Sequence, residues 1–94
     1  MLSFKLSISN RPSKKWKIEN NEKVVHFGDS SYEDYTLHKN EVRKQQYLLR
    51  HKDPYDAFRH QAGFWARWLL WNKPSLEASV KDVERRFGLK IFIE

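Results

Sequence analysis

Four histidines, His26, His38, His51 and His60, are the first residues to test for chemistry, because imidazole ligates metals and carries protons near neutral pH. None pairs with another at the three- or four-residue spacing that sets two ligands on one helical face, and the sequence has no cysteine to join them. They read as surface or hydrogen-bonded histidines rather than a metal centre. Glu33 and Asp34, with His38 close behind, have the types needed for acid–base work but lack a third partner. Acidic residues beside Ser and Tyr in such a stretch make caps and turns. Ser30 and Ser31 lack a nucleophile elbow, and Gly28 stands outside any glycine-rich phosphate cradle. The pattern predicts a non-enzymatic protein with no cofactor and no metal.

Binding chemistry is better represented. Arg43, Tyr47 and Arg50 recur at helical steps, with Lys44, His51 and Lys52 extending the same positive surface. Cations interleaved with an aromatic ring suit phosphate contacts plus base stacking. Lys14, Lys15 and Lys17 around Trp16 form a second cluster of this kind, which is also how an edge strand is blunted by lysines. These nine positions, Lys14, Lys15, Trp16, Lys17, Arg43, Lys44, Tyr47, Arg50 and Lys52, are the candidates for nucleic-acid or anion binding. A third set lies in the tryptophan-rich stretch. Phe58, Ala62, Trp65 and Leu69 make one helical stripe, and Phe64, Trp68 and Trp71 make a second beside it. Two stripes exceed what one small sheet needs, so Arg67, Trp68 and Trp71 are the candidates for contact with a protein partner.

The elements that carry these residues follow from periodicity. Leu2, Phe4, Leu6 and Ile8 alternate with polar residues as a half-buried strand. Lys14–Glu19 and Lys23–Phe27 flank an Asn-rich turn and read as a hairpin. Residues 28–38 read as a packed loop. Asn40 can cap a helix that runs to Lys52 and stops before Pro54. A second helix spans Asp56 to Trp71. Ser75 opens a third, with Leu76, Val80, Val83 and Phe87 inward and the Asp82–Arg86 and Glu77–Lys81 pairs on its outer side. Gly88 ends it, and Leu89, Ile91 and Ile93 alternate with Lys90, Phe92 and Glu94 as a last strand. The expected fold is α+β and one domain over residues 1–94. A small sheet of the terminal strands plus the hairpin packs against about three helices, the Trp-rich helix central.

A formal charge of +6 on 94 residues draws a small domain toward polyanions without choosing among them. The absence of cysteine favours a reducing compartment. The alternating N-terminus is unlike a signal peptide, and the longest apolar run is too short to cross a bilayer. The expectation is a protein that is not secreted and does not engage a membrane.

Residues 62–75, Ala-Gly-Phe-Trp-Ala-Arg-Trp-Leu-Leu-Trp-Asn-Lys-Pro-Ser, resemble the central signature of a small protein family encoded by large double-stranded DNA viruses. Val25-His26-Phe27-Gly28, the stretch Tyr32 to Lys39, and Tyr47-Leu48-Leu49-Arg50-His51 resemble its other markers. The resemblance implies a viral origin and a place in the virion or in the cytoplasm of an infected cell, and it carries over no catalytic residue. The resulting expectation is a minor capsid or virion structural component that contacts other viral structural proteins. The alternative is a nucleic-acid-binding module using the basic helix and the Lys/Trp strand.

Overall fold

The computed structural model describes residues 2–51 and 61–94. Its frame is a four-stranded sheet of β1 (Leu2–Ile8), β2 (Lys14–Glu19), β3 (Val24–Asp29) and β4 (Leu89–Ile93), in the order β3-β2-β1-β4. The chain begins in the middle of the sheet, turns twice to add the hairpin antiparallel on one side, and returns at its far end to lay β4 parallel on the other. Asn20 fixes the hairpin turn: its side-chain oxygen accepts the N–H groups of Glu22 and Lys23 at 3.0 and 2.9 Å.

The register settles which face is buried. Leu6 stands opposite Ile18, and Ile18 opposite Val25. All three are buried, with Leu89 and Ile91 beside them. The helices cover this face. Ser3, Lys5, Lys17, Lys90 and Phe92 alternate onto the other, where side chains stand in solvent.

Among the described residues four helices accompany the sheet: α1 (Tyr35–His38), α2 (Glu41–Arg50), α3 (Ala62–Trp65) and α4 (Leu76–Phe87). The fold is α+β, with the sheet and helix packing anticipated from the pattern. Helix α1 was not anticipated, since residues 28–38 read as loop. Asp34 nucleates it by accepting the Thr36 N–H at 2.9 Å. Helix α2 starts at the expected cap, where the Asn40 side chain accepts the Arg43 N–H at 3.1 Å.

The Trp-rich helix is described from Ala62 onward. The earlier part of its expected span, with Phe58, lies outside the described residues. From Ala66 to Leu70 it is a π-helical turn, in which the Trp71 N–H reaches back five residues to the Ala66 carbonyl at 3.2 Å. The buried residues are accordingly the pairs Phe64–Trp65 and Leu69–Leu70, five apart. The two stripes expected from ordinary helical spacing merge into this one inward face, and Trp68 and Trp71 move to its flanks.

Helix α4 is capped as expected, by Ser75 and by Gly88 in the left-handed region. Its outer side is not where Asp82 sits. Asp82 is buried, accepting from the Asn72 amide at 2.7 Å and from the guanidinium groups of Arg85 and Arg86. This carboxylate ties α4 to the segment after the π turn.

Candidate binding surfaces

A cleft of about 630 Å³ opens between the hairpin, helix α2 and the start of α3. Lys14 and Lys15 line it from β2, Arg43 and Arg50 from α2. Two basic clusters that are far apart in sequence thus share one wall-to-wall space. Gly28 at φ +80° sits against the floor; a Cβ there would lie 2.7 Å from Leu70 Cδ1, so only glycine lets strand and helix approach this closely.

Part of the cleft's charge is answered from within. Lys15 Nζ lies 2.6 Å from Asp34 Oδ2, and both side chains are largely buried. Asp29 accepts from the Ser31 N–H and hydroxyl at 2.8 and 2.6 Å, and these bonds hold its carboxyl below the ordinary range. Glu33 adds a further negative charge at the rim. Arg43 and Arg50 remain exposed.

The aromatic candidates are committed in a different way. Tyr47 is buried, with the Trp71 ring 4.3 Å away and nearly parallel on one side and the His51 ring at 4.3 Å on the other. Its two faces are occupied, so it offers no platform for a base. His38 leans on Trp71 at 5.3 Å and accepts the Asn40 N–H through Nδ1. Burial is the main force holding this histidine's pKa below its ordinary value. Trp68 lies under two guanidinium groups, with Arg67 at 3.9 Å and Arg86 at 4.8 Å from its ring centre. Such cation–π contacts cover the ring rather than present it.

The other predicted positions are separated by the fold. Trp16 packs against the core. Lys17 stands on the face away from the helices, 3.6 Å from Glu19. Lys44 donates to the Asn72 carbonyl at 2.7 Å. Lys52 lies outside the described residues. Of the nine anion-binding candidates, the structure gathers Lys14, Lys15, Arg43, Tyr47 and Arg50 around the cleft and places Trp16, Lys17 and Lys44 elsewhere.

The surface that the sequence reading passed over is the β4 edge. Phe92 is 56 % exposed on the open face of the sheet, and on the opposite face the end residues Ile93 and Leu2 are 45 % and 51 % exposed. A shallow groove of about 760 Å³ runs past Leu2, Phe4 and Phe92 to the hairpin turn. The Glu94 N–H donates inward to the Leu6 carbonyl, whereas the Ile91 N–H points outward and meets Glu84 Oε2 at 2.9 Å. The strand's alternation therefore turns the backbone groups of Leu89, Ile91 and Ile93 off the edge of the sheet. Its signal in the sequence was Phe92 itself, an aromatic in the polar phase of an alternating strand.

Among the described residues no cluster of His, Asp or Glu could hold a metal ion, and no helix is long and apolar enough to cross a membrane. Residues 4–51 match a protein family of unknown function, DUF5754. The chain belongs to that family. The matched region runs from β1 through α2, so the DUF5754 portion supplies three strands and the α2 wall of the cleft, while α3, α4 and β4 lie beyond it. No curated protein and no solved structure matches the chain.

Proposed function

We propose that this DUF5754 protein is a small non-catalytic structural component of the virion of a large DNA virus, held there by protein–protein contacts. The viral assignment rests on the Gly63-to-Ser75 signature and its companion segments. The docking assignment rests on one observation: β4 is an edge strand that carries an exposed Phe92 beside outward-facing backbone groups. Exposed apolar side chains beside outward-pointing backbone donors and acceptors are the ingredients of strand addition. Trp68 and Trp71, covered by Arg67, Arg86 and Tyr47, are not the anchors. Mass spectrometry of purified virions, before and after nuclease and salt stripping, tests the role. Retention with the stripped shell supports it, and absence from virions overturns it.

A second reading is favoured by the convergence of Lys14, Arg43 and Arg50 on one cleft. In that reading the protein binds nucleic acid there, and it leaves the virion with the genome. Binding driven by phosphates falls steeply as salt rises, whereas apolar docking does not.

A further inference from the structure

We infer that the partner at the β4 edge is a second copy of this chain, joined by antiparallel pairing of β4 with its own two-fold mate about Phe92. This rests on the reading of that edge as the docking surface and names what occupies it.

Three observations carry the inference. The first is the direction of the backbone. With the Glu94 N–H bonded to Leu6 and the Ile91 N–H directed away from β1, Ile91 and Ile93 are the residues able to bond a new strand. In an antiparallel pair centred on Phe92, Ile91 faces Ile93 of the mate. The two exchange both backbone hydrogen bonds, and the dyad supplies the pairing twice. The second observation is aromatic. Phe92 falls at the dyad in a non-hydrogen-bonded position, where opposing side chains come closest, and it is already out of the core. The third is charge. Lys90 and Glu94 flank Phe92 at equal distance on the same face, so the dyad sets each Lys90 opposite the mate's Glu94. Centring the pair on Ile91 or Ile93 instead loses this match. Among the described residues the ion pairs of these two side chains are loose, Lys90 to Glu84 at 3.9 Å and Glu94 to Lys5 at 3.7 Å, and Lys90 also lies 5.9 Å from the centre of the Phe92 ring.

Glu84 is the built-in competitor. Its carboxylate accepts the Ile91 N–H that the mate needs, so the edge is capped in the monomer and opens when Glu84 turns away. Self-association is therefore set by exchange of one hydrogen bond for a ladder, and removing the carboxylate strengthens it.

Sedimentation equilibrium of the full chain, from low micromolar to near-millimolar concentration, tests the pairing. The wild type is expected to show a monomer–dimer equilibrium. Lys90→Glu alone, or Glu94→Lys alone, sets like charges across the dyad and weakens dimerisation about tenfold; the double swap restores it. Glu84→Ala tightens it. Ile93→Pro removes an outward N–H that β1 does not use, and abolishes the dimer with the circular dichroism spectrum unchanged. Because Lys90 and Glu94 are exposed, the swaps remain decisive even where the proline variant fails to fold. A wild type that stays monomeric throughout, or single swaps that the double swap does not rescue, overturns the inference. Monomeric protein that is nonetheless retained in stripped virions would overturn self-pairing alone and leave the structural role standing.

Discussion

The cleft and the β4 edge use similar residue types to opposite ends. Around the cleft, Lys15 is matched by Asp34, Asp29 by Ser31, Tyr47 by Trp71 and His51. Along β4, Phe92 and Ile93 are exposed, and the outward Ile91 N–H is held by the Glu84 side chain. The lesson concerns where a small protein spends its conspicuous residues. A domain of this size buries too little surface to leave tryptophans idle, so its rings and ion pairs first serve the fold. What remains for a partner is an ordinary edge strand.

That contrast is broken most severely from inside. Trp65→Ala removes a fully buried indole that packs edge-on against Phe4 and Phe64. It should cost about 3–5 kcal/mol, enough to unfold much of a marginal domain, as read by urea denaturation. Asp82→Ala comes next. It strands the buried Asn72 amide, at about 2 kcal/mol; the two arginines reach solvent and add little. The same carboxylate gives a pH signature. The Asn72 hydrogen bond, more than the flanking arginines, holds its pKa below the ordinary value against the opposing effect of burial. A depressed carboxylate stabilises the fold above its unfolded pKa of about 4 and loses that contribution as pH falls through the folded value. Asp82→Asn should therefore flatten the loss of thermal stability below about pH 4.

Gly28→Ala sharpens the comparison at the cleft floor. The positive φ and the 2.7 Å approach to Leu70 predict a loss of about 1–3 kcal/mol, measured by thermal melting. Arg43→Ala combined with Arg50→Ala should leave stability within about 0.5 kcal/mol of wild type, since both side chains are exposed. If the cleft holds nucleic acid, that pair lowers the salt dependence of single-strand binding by a slope of about one to two; an unchanged slope removes the cleft from the nucleic-acid reading. The smallest stability effect belongs to Phe92→Glu, also within about 0.5 kcal/mol, although it should be the most damaging change to association.

Most of the frame could be read from the sequence because its signals are local. Period two marked β1 and β4, the Asn20 turn marked the hairpin, and Asn40, Ser75 and Gly88 marked helix ends that the structure reproduces. Three features escaped because they depend on contacts across the chain. Helix α1 forms because Asp34 is fixed by Lys15, nineteen residues away. The π turn re-aims Trp68 and Trp71, and a pattern read at 3.6 residues per turn cannot see the extra residue. Asp82 looked like half of a surface pair, but Asn72 draws it inward. Lys14, Arg43 and Arg50 were found with no knowledge that the fold would join them at one cleft. Phe92 passed as one residue of a strand, because exposure at a sheet edge depends on strand order, which local pattern does not encode.

The account turns on Phe92 rather than the tryptophans as the point of docking. The direct measurement is the copy number of the protein in salt-stripped, nuclease-treated virions from virus carrying Phe92→Glu, set against virus carrying Arg43→Ala with Arg50→Ala. The account predicts that Phe92→Glu protein is folded in the infected cell but lost from the shell, while the arginine variant is retained. Retention of Phe92→Glu protein at wild-type copy number would contradict it.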